Sequence, residues 1–506
     1  MTFHSYQFIF LALPACYLAF LLAFRIGGWD GAFRLLAVAS LAFYAMWSPI
    51  LLAILMASVV ANFSIGDLIL RANGKRTLAA SLLAFGIGGN LLALGYLKYA
   101  NFLIDIGSAL GVTNLDYILL IVPIGVSFYT FIQIGYLIEA HAGQVERPTF
   151  WRYILFATFL PCVTAGPLVQ QREMLSQMKG RGDQAYNSET LAAGLTMFAM
   201  GLFKKVVFAD NLQPIADAIF QGAANGQMIS NGTAWLGSIC YALQLYFDFS
   251  GYSDMAVGIG CIFGLKLPVN FDSPFKATNI SDFWRRWHMT MTRFFTSYVY
   301  TPLAVSGMRS LVGRQPSGTY RYVRTGAIPA IATFFVAGIW HGAGWTFVIY
   351  GLIHGLAIAV YLGWSRLSRL SLPAPIGWCL TMSVVVSALV VFRSPDLACA
   401  TTILSSMWTF GLASPIAADG QGVAMNFKYA TSMVVLLGAV VLLMPNSQQI
   451  LHRYCVTSDG LSDGAAREAG LLTWQPSLGA SLAVGTLLCI AIGSIGAGSA
   501  FLYYQF

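Results

Sequence analysis

A chain of 506 residues that is 57% hydrophobic and only 9% charged is a polytopic membrane protein, since soluble domains carry about 25% charged residues. Its mean hydropathy of +0.70 leaves no room for a large soluble domain. The formal net charge of +8 comes from basic residues in short loops between apolar runs, the distribution of the positive-inside rule, and does not point to nucleic acid.

Met1 to Gln7 lacks the basic region of a cleavable signal, so Phe8–Phe24 reads as a retained first span. Leu35–Trp47 and Leu51–Leu70 are the next two. Arg25 and Arg34 lie between the first pair, and Arg71, Lys75 and Arg76 follow the third, which places both loops in the cytoplasm and the N-terminus outside. Leu78–Leu97 runs outward to a short amphipathic stretch opened by Lys98–Phe102. Tyr117–Ile138 returns, bent by Pro123 and Gly125. Tyr153–Val169 is apolar but has basic residues on both flanks: Arg147 and Arg152 before it, Arg172, Lys179 and Arg181 after. Pro161, Gly166 and Pro167 break it, so it reads as a re-entrant hairpin whose broken backbone must be covered.

Leu191–Phe208 is helical, with Lys204 and Lys205 near its end. Trp235–Phe249 leads into Gln244–Asp254, where Asp248 and Asp254 stand among hydroxyls in an apolar setting. Burying them is costly without partners. Either they fix helix packing through internal hydrogen bonds or they line a polar cavity. In Ser281–Thr290, Ser281 is a candidate N-cap and Asp282 suits the positive end of the helix dipole. Helical spacing puts Trp284, Trp287, His288, Met291 and Phe295 on one face. Arg285 and Arg286 open a basic patch, either a plain cytoplasmic loop or a site for a polyanionic ligand or acidic carrier.

From Gly326 to Gly363 there is no Lys, Arg, Asp or Glu, yet His341 and His354 lie there. An imidazole in hydrocarbon must be hydrogen-bonded or on a wet path, and an intramembrane ionisable group points to function. Gly338 and Gly342 bracket His341, and Gly351 and Gly355 bracket His354, spacings that allow close backbone approach. Arg366 and Arg369 mark another cytoplasmic loop. Ile376–Phe392, Ser405–Leu412, Tyr429–Met444 and Leu478–Tyr503 follow, with His452, Arg453 and Arg467 in the last polar loop. The count is roughly 11 to 13 membrane segments at about 20 residues per span. There is no clear internal repeat, which weakens a transporter reading. The cysteines (Cys16, Cys162, Cys240, Cys261, Cys379, Cys399, Cys455, Cys489) form no CxxC pair, so neither a zinc site nor a disulfide framework is indicated.

Gln244–Asp254, Phe283–His288, Tyr298–Leu303 and Trp340–Gly342, in this order, resemble the membrane-bound O-acyltransferases, most closely the bacterial alginate O-acetylase branch. Tyr96–Phe102, Pro123–Tyr129, Ala165–Pro167 and Phe501–Phe506 extend the likeness over nearly the whole chain. Where relatives carry a Gly-Gly-Asn-Arg segment after the Tyr298–Leu303 motif, this chain has Ala304–Arg309. The resemblance implies one all-α integral-membrane domain over residues 1–506, its core motifs at about 235–365, with helices ringing a thinned centre where a cytoplasmic cavity meets an extracytoplasmic funnel. It implies that His341 is the essential histidine, as general base or transient acyl carrier, and that His288 is the second, on the cytoplasmic side. Trp340, Asp248, Asp254, Arg285, Arg286 and Trp287 are read as contacting substrate. The implied reaction is transfer of acetyl from a cytoplasmic thioester, most simply acetyl-CoA, to a secreted polysaccharide at the bacterial inner membrane. It requires no metal and no permanently bound cofactor, and it implies a separate extracytoplasmic acyltransferase or esterase-like partner. Peptidoglycan O-acetylation and D-alanyl transfer to teichoic acid are alternatives within the family. Outside it stand a proton-coupled transporter using His341, Asp248 and Asp254, and a structural subunit of an export complex.

Overall fold

The computed structural model describes residues 1–72, 74–113, 115–179, 187–315, 317–368, 370–409, 426–454, 472–496 and 501–502. Arg181, Arg369, Cys455, Arg467 and the end from Tyr503 lie outside them. Among the described residues every regular element is a helix, as expected of an all-α membrane protein. Seven helices among the described residues are long and apolar enough to cross a membrane, and Leu397–Trp408, Phe427–Leu443 and Leu478–Gly493 are shorter apolar ones.

The described chain divides into two compact units. The first comprises Met1–Leu202, Tyr252–Val269 and Ser447–Ile495. Its opening helix breaks at Gly27 and Gly28, the latter at φ 58°, between the stretches expected as two spans. A two-glycine kink therefore replaces the expected loop, because glycine reaches positive φ without a steric penalty. The helices Pro49–Arg71 and Arg76–Leu94 are tied by reciprocal amide hydrogen bonds between Asn62 and Asn90, at 3.2 and 2.6 Å. Past Leu94 the chain continues through a wide turn, Gly95–Tyr99, into the helix Ala100–Ala109.

The expected span Tyr117–Ile138 is only half helical. The helix begins at Val126, after Gly125 at φ 73°, and the stretch before it, from Tyr117 to Pro123, has no regular structure. Pro123 and Gly125 therefore stand before the start of a helix rather than bending one, consistent with the restriction proline places on its predecessor. The segment around Pro161 is broken as expected, into Phe150–Thr158, Leu160–Val163 and Gln171–Met178. Protein covers the breaks. Leu160 N–H donates to Ser40 Oγ at 3.1 Å, and the Thr164 and Tyr252 hydroxyls meet at 2.6 Å.

The second unit comprises Phe203–Gly251, Asn270–Asn446 and Gly496–Phe506. At its heart a helical hairpin, Ile328–His341 and Trp345–Leu367, turns over Gly342–Gly344. A Cβ at Gly338 would sit 2.5 Å from the Phe347 carbonyl oxygen and 2.8 Å from Gly351 Cα. The two glycines that the sequence singles out thus face each other and let the backbones touch, as small residues do in membrane helix pairs. A wide π turn, Lys204–Ala209, buries Lys205, the kind of distortion that recurs at functional sites.

Two local expectations fail beside His288. Asn279, not Ser281, caps the helix Ile280–Arg286: its side chain accepts from Asp282 N–H at 2.8 Å. That helix ends at Arg286, and a new one, Met289–Phe295, starts after His288. Trp284, Trp287, His288, Met291 and Phe295 therefore do not share one helical face. All five are nevertheless buried.

Candidate active site

His341 is the last residue of its helix, where the chain leaves helical geometry for the extended Gly342. Only 8% of its surface is exposed. Its ring packs against Trp340 at 4.7 Å, Phe392 at 5.2 Å and Tyr350 at 5.8 Å between centroids. All three neighbours are aromatic.

His288 is fully buried and sits at φ 42°, one of two non-glycine residues with positive φ among those described. A side chain pays a steric cost in that region and stays there only where its surroundings over-determine it. Asn270 provides much of that hold. Its carbonyl accepts from Met289 N–H at 2.9 Å, and its side-chain oxygen accepts from the Thr290 hydroxyl at 2.7 Å. The His288 ring rests on the edge of Phe249 at 4.7 Å and lies 6.0 Å from Trp340. Burial pushes its pKa down to about 3, so this imidazole is neutral at physiological pH. The two histidines thus flank one indole.

His354, the other imidazole of the uncharged stretch, has a settled role: its Nδ1 accepts from Trp284 Nε1 at 3.1 Å. It ties the Ile280–Arg286 helix to the hairpin and carries Tyr350 against its ring at 4.7 Å.

The remaining sequence candidates divide. Trp340 and Trp287 are buried in the second unit, Trp287 against Phe271 at 5.1 Å. Asp248 lies in the same unit, ion-paired to Lys205 at 2.5 Å and accepting from Leu502 N–H at 3.0 Å. Asp254 belongs to the first unit, where it accepts from the Ser447 hydroxyl at 2.6 Å and the Gln448 amide at 2.8 Å. Both acids are held by internal bonds. Arg285 is exposed, and both it and Arg286 pair with Asp282 on their own helix. Sequence reasoning passed over Asn270, which carried no signal of its own. Phe249 lay within the Gln244–Asp254 motif without being assigned a role, and Lys205 was visible only as a charge at the end of an apolar run.

Residues 126–403 match the membrane-bound O-acyltransferase family model. The protein is a polytopic acyltransferase whose interior presents a histidine pair around a tryptophan. It belongs to the membrane-bound O-acyltransferase family. It is 36% identical over 436 residues to the peptidoglycan O-acetyltransferase of Helicobacter pylori, covering 80% of each chain. To a probable alginate O-acetylase of Pseudomonas aeruginosa it is 36% identical over 421 residues, covering 81% of this chain and 75% of the relative. Similarity to the teichoic acid D-alanyltransferase of Streptococcus thermophilus is 28% over 248 residues, 48% of this chain and 57% of that one.

Proposed function

We propose that the protein takes an acetyl group from a cytoplasmic thioester, most simply acetyl-CoA, and passes it across the bacterial inner membrane for O-acetylation of a secreted or cell-surface polysaccharide. The observation that carries this reading is the buried His341, set against Trp340, Tyr350 and Phe392 within the charge-free stretch Gly326–Gly363 of the hairpin. In its neutral form an imidazole acts as a general base. The acceptor hydroxyl gives its proton to His341 as its oxygen attacks the thioester carbonyl carbon. The new C–O bond forms, the C–S bond breaks, and the departing thiolate takes the proton back from the imidazolium. His288, whose ring lies 6.0 Å from Trp340, serves donor positioning rather than the proton transfer.

The polysaccharide itself is modified in a later step by an extracytoplasmic acyltransferase or esterase-like partner. Polymer recognition needs an open groove with many polar contacts, and the basic loops of this chain belong on the cytoplasmic side by their charge. A peptidoglycan acceptor is the second reading, supported by the match to the Helicobacter pylori O-acetyltransferase over 80% of both chains. The test is reconstitution in vesicles with acetyl-CoA on the cytoplasmic face and polymer on the other. Acetyl-CoA consumption that depends on His341 is expected. Efficient polymer O-acetylation by this chain alone refutes the relay to a partner, and full consumption by His341→Ala refutes the assignment of the base.

A further inference from the structure

Two buried hydrogen-bond donors without hydrogen-bond partners among the described residues belong to side chains that pack together: the Tyr241 hydroxyl and Arg393 Nε. Tyr241 has no exposed surface. Its ring packs on Phe220 at 5.4 Å, and the Arg393 guanidinium lies over both rings, 5.6 Å from Phe220 and 6.0 Å from Tyr241. Arg393 spends one terminal nitrogen on Asp217 at 2.8 Å. That pair cancels its charge and fixes the plane of the guanidinium, yet leaves Nε–H free to donate. Arg393 directly follows Phe392, whose ring touches both His341, at 5.2 Å, and Tyr350, at 4.9 Å. The donor pair therefore sits at the histidine end of the Ala374–Arg393 helix.

A buried donor without an acceptor is costly, and native proteins keep few. Helix packing does not account for this one, because phenylalanine at 241 would pack on Phe220 equally well. Two neighbouring donors beside a neutralised ion pair suit an uncharged oxygen that gains negative charge during reaction, rather than a permanent anion. We infer that Tyr241 and Arg393 donate hydrogen bonds to the carbonyl oxygen of the acyl group undergoing transfer. The inference rests on the acyl-transfer reading. As the acceptor oxygen adds to the carbonyl carbon, the C=O electron pair moves onto that oxygen, where these donors hold it. When the C–S bond breaks, the pair returns to re-form the carbonyl.

The test compares acetyl-CoA with CoA, which differ only in the acyl group, on the purified full chain and on Tyr241→Phe and Arg393→Lys. Removing one donor to a developing oxyanion costs about 100-fold or more in rate. Tyr241→Phe is expected to slow single-turnover loss of acetyl-CoA by about that factor, with CoA affinity unchanged. Arg393→Lys, which keeps the charge but not the Nε donor, is expected to do the same. Transfer by Tyr241→Phe at the wild-type rate overturns the inference and assigns the phenol to a buried water. A parallel loss of CoA binding overturns it in favour of a general defect of the donor pocket. A large drop in the thermal midpoint of Tyr241→Phe also overturns it, since a phenol awaiting substrate contributes nothing to folding. A wild-type chain that never consumes acetyl-CoA refutes the acyl-transfer reading itself. An active wild type with an inactive His341→Ala and a fully active Tyr241→Phe refutes only the donor assignment.

Discussion

His288 and Trp340 meet ring to ring at 6.0 Å, although one stands at a break between two short helices and the other at the end of the apolar helix Ile328–His341. The tryptophan packs on His341 as well, at 4.7 Å. One indole therefore holds the spacing of both imidazoles, and each histidine has a separable effect. His341→Ala should abolish acetyl transfer while the protein still inserts and folds, because the substitution removes the group that the proposed proton transfer requires. Thioester consumption and a melting curve on the same preparation check this. Residual transfer within tenfold of wild type places the base elsewhere.

His288 offers a pH signature. Burial lowers its pKa to about 3 from an ordinary value of 6.5. The folded chain thus resists protonation at a site where the unfolded chain accepts a proton. Above pH 6.5 both states are neutral and the residue contributes no pH dependence. As pH falls from 6.5 toward 3, only the unfolded state gains the proton, so stability declines. His288→Asn, which tolerates positive φ better than most residues, should flatten the thermal midpoint between pH 6.5 and 4 relative to wild type. Parallel slopes for the two proteins show that the imidazole is hydrated in the folded state.

The hairpin crossing is the mechanical support of His341. A methyl group at Gly338 collides with backbone from Phe347 and Gly351, which cannot rotate away, whereas one at Gly355 meets Ile331 Cα at 3.0 Å and the Phe334 side chain at 3.2 Å. Gly338→Ala should therefore spread the helices, displace His341 and reduce transfer by at least tenfold, since small misplacements of catalytic groups cost on the order of 100-fold. Gly355→Ala should cost less in both melting temperature and activity. Equal effects from the two substitutions refute a special contact at Gly338.

Much of this was legible in one dimension. The apolar stretch without a charge from Gly326 to Gly363 singles out His341, and the glycines at 338 and 351 announce a close helix pair. Both signals are local: a missing charge and a missing side chain need no knowledge of the partner. The helical face drawn through Trp284, Trp287 and His288 failed because periodicity assumes an unbroken helix. The break depends on Asn270, outside the motif, which binds Met289 N–H and the Thr290 hydroxyl. Tyr117–Ile138 failed for a similar reason: hydropathy is high on both sides of Pro123, but the helix starts only after Gly125. Asp248 and Asp254, six positions apart in one motif and in one continuous helix, sort into different units with different partners, which spacing alone does not reveal.

The ion pair of Lys205 and Asp248 gives the sharpest test of stability. Both side chains are almost wholly buried, at 3% and 1% exposure. Lys205 also reaches Asp210 at 2.8 Å, and Asp248 uses its second oxygen to accept from Leu502 N–H at 3.0 Å. Removing one partner of such a pair leaves a buried charge uncompensated, at a cost of about 3–5 kcal/mol, whereas replacing both is often near neutral. Lys205→Met should therefore be strongly destabilising, and adding Asp248→Asn should recover most of the loss. Asparagine keeps an oxygen that can accept from Leu502 N–H, so Lys205→Met with Asp248→Asn should melt higher than Lys205→Met with Asp248→Leu, by about 1 kcal/mol, the net value of one hydrogen bond. Denaturation of the detergent-solubilised protein across these three variants, Asp248→Asn alone and wild type measures the coupling. If the single and double substitutions simply add, the two side chains do not form a coupled pair in the membrane protein, and Asp248 is then available for the substrate-facing role that its place in the sequence first suggested.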